Sequence, residues 1–383
     1  MRQRILFIPT IDLNGASGAA VHYRHIIEGF RRCTNWEVQV LMPPTTVIDN
    51  NLAPIGVLRK VKTWHIGLEL AQQLEQNLAN MMPCICYLRY NYANYPVFRL
   101  LHKKGVPYIL EINTDMQGEL NCKRNYFALI WNSLVEKQIL HNSSGILSVS
   151  QNVLEKIKRR YHLDNIPFGI TYNGADTRIL SPTSLDDRLR IREQMGIPKE
   201  SFVWAFIGKL STWHGLDLFL EAMASIDDLT KDHLLLIGSS MERYSNLISA
   251  LKLSPRIHKV PWVPETELGT WLAAADMGLG TMALFRKDMS DAQSLKVRTY
   301  LACGIPVLSG AHLDIAKGRH LAVFSADLHD KQRGREEIVT IRSQVRSNSE
   351  QLRQAARQEA EQFYSWDSII RHTEDFINEC LRG

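Results

Sequence analysis

Short apolar runs of four to six residues alternate along the chain with longer segments whose apolar residues recur every three or four positions. A run that is apolar on both faces suits a strand covered on both sides, and the amphipathic segments between suit the covering helices. The first half predicts strands at Ile5–Pro9, Glu37–Met42, Ile85–Leu88, Tyr108–Ile112, Gly145–Val149 and Gly169–Tyr172. The turn sequence Asn173-Gly174-Ala175-Asp176 follows, and then the polar stretch Ser181–Glu200 with its two prolines, where the junction between domains is expected. The alternation restarts with Phe202–Ile207, His233–Ile237, Ile257–Val260, Met277–Gly280 and Pro306–Ser309. After Phe363-Tyr364-Ser365-Trp366, the spacing of Ile369, Ile370, Phe376, Ile377 and Leu381 predicts a terminal amphipathic helix. The fold class is therefore α/β, with two doubly wound, Rossmann-like domains in tandem. Open sheets of this kind bind ligands at the carboxyl ends of their strands, so the active site is expected in a cleft between the domains.

Composition narrows the class. A chain of 383 residues, 45% hydrophobic and 22% charged, is globular in make-up and long enough for two cores. No stretch approaches the roughly 18 apolar residues of a membrane span, and Ile5–Pro9 is too short for the core of a signal peptide. The six cysteines form neither a zinc pattern nor a disulfide framework, which suits a reducing, cytoplasmic location. The net charge of +5 is unevenly shared: residues 1–177 carry 19 Lys/Arg against 13 Asp/Glu, leaving 26 against 27 for the rest. A basic first half suits an ordinary solvated surface, or peripheral contact with phospholipid at the cytoplasmic face of a membrane. No nucleic-acid recognition motif accompanies it.

Three segments carry candidate chemistry. Leu13–Ala20 contains Gly15 and Gly18 between the first strand and the helix expected near Val21, where backbone amides can approach an anion. The glycine spacing is not that of a dinucleotide-binding loop, and no acid ends the second strand, which argues against an oxidoreductase. Phe206–Asp217 ends a strand in Gly208 and places Lys209 and His214 in a loop that turns into the helix Leu216–Ala224, so two cationic groups can bracket a diphosphate. Asp288–Val307 runs from a polar loop into a helix beginning near Ser294, where exposed amides at Ser294, Leu295 and Lys296 suit phosphate and Asp291 suits a sugar or a simple cap.

In this order the motifs Asn173-Gly-Ala-Asp176, Gly208-Lys-Leu-Ser-Thr-Trp-His-Gly-Leu-Asp217 and Ser294-Leu-Lys-Val-Arg-Thr-Tyr-Leu-Ala-Cys-Gly-Ile-Pro-Val307 resemble family four of the retaining glycosyltransferases, which have the GT-B fold. The resemblance spans nearly the whole chain. It implies an acceptor-side domain at 1–177, joined by a returning helix at 364–383, and a nucleotide-sugar domain at 178–363. It implies transfer, with retention, from a nucleotide diphosphate sugar to a hydroxyl acceptor (a glycan, a lipid-linked intermediate or a small molecule) in glycan or cell-surface polysaccharide synthesis. Neither cofactor nor metal is implied.

Carried over by position, the resemblance gives Lys209 and His214 the donor diphosphate, where the family usually has Arg and Lys. Gly15 and Gly18 fall in the loop near donor phosphate or acceptor, with Gly208 at the strand end. Asn113 falls where many members place a sugar-contacting His, Gly238 and Val263 lie near the nucleobase pocket, and Ser294, Leu295 and Lys296 match the diphosphate-binding helix start. Asp291 and Thr299 replace two family Glu residues. Thr299 cannot hold ribose hydroxyls as a carboxylate does, Asp291 is shorter, and Lys209 lacks a guanidinium's bidentate fork. A non-catalytic nucleotide-sugar-binding relative or partner subunit, and an epimerase of the same architecture, are the rival readings. Lys123–Trp131 and Lys156–Tyr161 interleave bases with aromatics, suiting either a membrane surface or a buried helix with a solvated edge. Tyr87–Tyr95, with four tyrosines and Arg89, suits an acceptor groove or packing at a strand end.

Overall fold

In the computed structural model the first set of apolar runs becomes β1 (Arg4–Phe7), β2 (Glu37–Met42), β3 (Gly56–Val57), β4 (Ile85–Arg89), β5 (Tyr108–Ile112), β6 (Gly145–Ser148) and β7 (Phe168–Ile170). They form one sheet in the order β3-β2-β1-β4-β5-β6-β7, parallel throughout. The second set becomes β8 (Val203–Ile207), β9 (His233–Ile237), β10 (Ile257–Val260), β11 (Met277–Leu279), β12 (Val307–Ser309) and β13 (Val323–Ser325), ordered β10-β9-β8-β11-β12-β13 and also parallel. The structure describes residues 3–11, 13, 18–42, 56–57, 66–81, 84–122, 124–238, 242–287, 294–310 and 321–382. The chain divides into two units: Met1–Tyr172 with Trp366–Gly383, and Asn173–Ser365.

Each sheet starts in its middle and winds outward both ways. The direction reverses between β1 and β4 in the first unit and between β8 and β11 in the second, and at such a switch point neighbouring loops leave in opposite directions and open a crevice. The central strands are buried on both faces: β5, β8 and β9 have no exposed residue. This explains why their sequences read as nearly continuous apolar runs, broken only by Glu111 in β5 and His233 at the start of β9.

In the first unit the returning helix Trp366–Arg382 lies on the helix Gly18–Cys33, where a Cβ at Gly29 would collide with Ile370. Its Phe376 packs on Gly145 and Gly169, and Arg32 pairs with Asp367. In the second unit Ala175 N–H donates to Tyr364 O at 2.8 Å, so the segment that begins the unit and the one that ends it run together.

Four expectations are corrected. The first helix begins at Gly18 rather than near Val21. The polar stretch Ser181–Glu200 holds the helix Leu185–Gln194, started by Ser184, whose hydroxyl accepts from Asp187 N–H. Few of its residues are apolar. Arg188 and Arg192 fasten it to Asp276, each at 2.7 Å. The edge strands β3 and β13 were not predicted, being two and three residues long. The helix Tyr126–His141 buries Ala128, Val135, Ile139 and Leu140 but turns Tyr126, Phe127, Ile130, Trp131 and Leu134 to solvent, which is not a buried helix with a polar edge. The helix Gln151–Tyr161, by contrast, buries Ile157 and Tyr161 and sets Arg160 on Asp115. Among the tyrosines, Tyr87, Tyr90 and Tyr95 donate to Glu111, Asn132 and Gln138, which is packing at a strand end. Among the described residues no helix is long and apolar enough to cross a membrane.

Candidate functional site

In the second unit the loops after β8 and β11 meet at the switch point of the sheet. β8 is followed by Gly208, whose φ of +88° a residue with a Cβ rarely adopts, and the chain then passes through exposed Lys209 into the single turn Thr212–His214. Gly215, at φ +70°, turns the chain into the helix Leu216–Ser225. The loop is held in place. Met282 N–H donates to His214 O and Ala283 N–H to Trp213 O, both at 3.1 Å, while Arg286 donates to Thr212 O and makes a two-point pair with Asp217. The loops after β8 and β11 are therefore tied together where the sheet reverses.

Ser211 N–H donates to His214 Nδ1 at 3.1 Å. A neutral imidazole with an occupied acceptor at Nδ1 carries its proton on Nε2, so His214 is a donor there in either charge state. Its bonding to a phosphate does not require protonation, contrary to what charge alone suggests.

The helix Leu295–Ala302 approaches from the other side. Ser294 is its N-cap and makes no side-chain cap bond, so the first-turn amides keep the anion-binding capacity of a helix start. Tyr300 fixes the helix to β8: its hydroxyl accepts from Ile207 N–H at 2.9 Å and donates to Ala205 O at 3.0 Å, and its ring lies where a Cβ on Gly278 would stand. Lys296 is buried, with Nζ 3.7 Å from the centre of the Phe206 ring and without a hydrogen-bond partner. Burial away from water pulls its pKa down to about 7. His214 meets the same Phe206 ring edge-on, with centroids 5.4 Å apart. Phe206 therefore joins the Lys209–His214 loop to the helix start. Thr299 Oγ donates back to Leu295 O at 3.2 Å, which commits its only proton within the helix.

At the end of β9, Gly238 (φ +71°) lies beside Trp262, whose indole would stand 3.7 Å from an added Cβ, and Val263 follows in the same loop. Trp262 is 64% exposed, a flat apolar surface of a size to suit a base. Gly208, His214, Gly238, Val263, Ser294, Leu295, Lys296 and Thr299 thus belong to the loops and helix start at one end of this sheet. Asp291 and Gly15 lie outside the described residues.

In the first unit, Gly18 opens its helix and Asn113 follows β5, with its side-chain oxygen buried and without a partner. Below Asn113 lies a charged group that sequence reasoning missed. Glu111 is completely buried, accepts from the Tyr87 hydroxyl at 2.6 Å and sits 2.9 Å from His22 Nε2. Burial alone would raise its pKa; His22, Arg89 and the Tyr87 hydroxyl outweigh burial and hold the carboxyl at about 2. The signal was available in the single acid inside Tyr108-Ile-Leu-Glu-Ile112. Tyr300 and Phe206 were missed as positioning residues because a Tyr or Phe in an apolar run reads simply as core. Among the described residues no three His, Cys, Asp or Glu side chains form a metal-holding group.

Two doubly wound parallel sheets in tandem, with a terminal helix returned to the first, define a protein of the GT-B fold. Residues 16–179 match the model for Glycosyltransferase Family 4 and residues 201–332 that for Glycosyl transferases group 1, and the chain belongs to this family. A D-inositol 3-phosphate glycosyltransferase of Corynebacterium glutamicum is 24% identical over 153 residues, 38% of this chain and 37% of that relative. The chain thus matches well under half the length of that curated relative. Among solved structures, a sucrose-phosphate synthase from Thermosynechococcus elongatus superposes with a TM-score of 0.80 at 17% identity, covering 100% of both chains. HepE of Anabaena, in complex with UDP and glucose, gives 0.69 at 16% identity, over 98% of this chain and 100% of that one.

Proposed function

We propose that this protein transfers a sugar, with retention, from a nucleotide diphosphate sugar to a hydroxyl acceptor, a step of glycan or polysaccharide synthesis. The observation that carries the reading is the meeting of the Lys209–His214 loop and the Ser294–Lys296 helix start at Phe206, beside the strand-end glycines of the second unit. Departure of a sugar from a diphosphate leaves negative charge on the leaving oxygen. Groups already aimed there lower the barrier, because they need not reorganise as the charge develops. Lys209 supplies a full positive charge, His214 Nε2–H a donor, and the amides of Leu295 and Lys296 the positive end of a helix. These groups do the work a metal does elsewhere, so transfer proceeds without one. Trp262, Gly238 and Val263 take the base, Thr299 lies on the ribose side, and Asp291 and Asn113 contact the sugar. The acceptor attacks the face from which the diphosphate leaves, and the leaving phosphate takes the acceptor's proton, so no protein nucleophile is needed.

A glycan, lipid-linked or small-molecule acceptor meets the first unit, whose excess of basic residues suits peripheral contact at the cytoplasmic face of a membrane. UDP-glucose is the first donor to test. Thermal shift across a panel of nucleotide sugars names the donor, since a ligand at a hundred times its Kd adds about 2.7 kcal/mol of apparent stability. Lys209→Ala is then expected to lower turnover by about 10²- to 10³-fold. Near-normal turnover in both Lys209→Ala and Asp291→Ala rejects the site.

A further inference from the structure

We propose that the helix Tyr126–His141 docks the first unit onto an anionic lipid surface. On its outer face Phe127 is 88% exposed, Leu134 69%, Ile130 63%, Tyr126 60% and Trp131 42%. Positions 126, 130 and 134 form one row along a helix and 127 and 131 the next, so the five side chains make one continuous stripe. Single exposed apolar residues are commonplace, but a contiguous stripe of five, three of them aromatic, marks a surface that is covered in use.

The charge around the stripe selects what covers it. Arg124 precedes the helix and Lys137 follows the stripe, both exposed; the only acid on the helix, Glu136, is buried and bonded to Asn132 and Tyr161. The neighbouring helix Tyr95–Lys103 touches the stripe through Tyr95, whose ring meets Trp131 edge-on at 5.9 Å. Arg99 and His102 stand one and two turns beyond Tyr95 on the same face, and that helix carries no acid. Aromatic and aliphatic side chains rimmed by cations are what an interfacial helix presents to anionic headgroups: the apolar face enters the headgroup boundary and the bases remain at the phosphates. A second copy of this chain fits less well, because pairing about a twofold axis lays stripe on stripe and brings one basic rim against the other. The inference rests on the peripheral-contact part of the function proposed above and fixes its location; it does not depend on the donor.

The test is co-sedimentation of the full chain with phosphatidylcholine vesicles, with and without phosphatidylglycerol. The wild type is expected to bind the anionic vesicles at least about tenfold better than the neutral ones, and high salt to weaken binding. Phe127→Ser with Trp131→Ser is expected to lose about tenfold or more, as is Arg124→Glu with Lys137→Glu, while both variants keep the wild-type thermal shift with a nucleotide sugar. Because all four positions are exposed, the fold survives these changes, and unchanged melting of the free protein checks it. Wild-type binding by the Phe127/Trp131 variant overturns the proposal. So does absence of binding to either vesicle, or a dimer in sedimentation that this variant abolishes. Vesicle binding that follows these substitutions in a protein that shifts with no nucleotide sugar supports the docking surface and removes the transferase reading.

Discussion

Lys296 offers a direct test of the proposed donor site because its amine is largely neutral above pH 7 and would gain a proton when an anion arrives. Burial over Phe206 without a hydrogen-bond partner pulls its pKa from 10.5 to about 7. At pH 8 about nine in ten molecules therefore carry the neutral amine. A diphosphate oxygen about 4 Å from Nζ contributes on the order of 4 kcal/mol per unit charge at an effective dielectric of about 20, enough to raise the pKa by roughly 3. Donor binding at pH 8 should then take up about 0.9 proton, and at pH 6 only about 0.1. Above neutrality the donor's Kd should rise by about tenfold per pH unit. Titration calorimetry of UDP or UDP-glucose in two buffers of different ionisation enthalpy reads the proton directly. Lys296→Met should abolish the uptake. Zero uptake at pH 8, or the same uptake in the variant, refutes the reasoning.

In the free protein the buried amine of Lys296 also sets how stability depends on pH. Its amine has a lowered pKa, so between about pH 7 and 10.5 the unfolded chain binds more protons than the folded one and stability rises with pH. Below that window the full cost of burying an ammonium is present, on the order of 4–5 kcal/mol at 1.36 kcal/mol per pH unit. Lys296→Met should therefore raise the melting temperature of the free protein at neutral pH while weakening donor binding. On the proposed function, stability is given up at this position for charge delivered when the donor binds.

Other consequences follow from single contacts. Thr299→Glu is expected to tighten donor binding by about 1–2 kcal/mol, because a carboxylate can accept from ribose hydroxyls while Thr299 donates to Leu295 O; unchanged affinity in a calorimetric titration rejects the ribose placement. Asp276→Ala leaves Arg188 and Arg192 buried without their carboxylate, so chemical denaturation should show a loss of about 3–5 kcal/mol, and a loss below about 1 kcal/mol would show that water replaces the pair. Glu111 is held at about pKa 2, so its stabilisation is complete above its unfolded value near 4.3 and declines as pH falls toward 2. Glu111→Gln should flatten that acid-induced loss as followed by circular dichroism, and an unchanged acid profile would show that the buried pair is not its source.

Much of the architecture was written in the order of residues. β2, β5, β9 and β10 run between the same residues as the predicted strands; in β5 and β9 the reason is burial on both faces, which leaves a nearly uninterrupted apolar run. The glycines at 208 and 238 mark strand ends by a local rule, since both take a positive φ. The proposed donor loop and helix start could be read as candidate chemistry for a similar reason: amides, Lys209 and His214 lie within short segments. What the sequence left open depends on which distant segments meet. The helix Leu185–Gln194 has little amphipathic signal because Asp276, far along the chain, anchors it. Glu111 becomes a buried, hydrogen-bonded acid only because the first helix brings His22 over β5. Lys296 has a pKa of about 7 only because Phe206 closes over it, and His214 keeps its donor on Nε2 only because Ser211 N–H occupies Nδ1. The stripe from Tyr126 to Leu134 reads as core by composition, and its exposure was decided by which face of that helix the rest of the first unit covers. Periodicity and backbone preference are local and survive in the order of residues, whereas burial, protonation and exposure belong to the environment that only the folded chain creates.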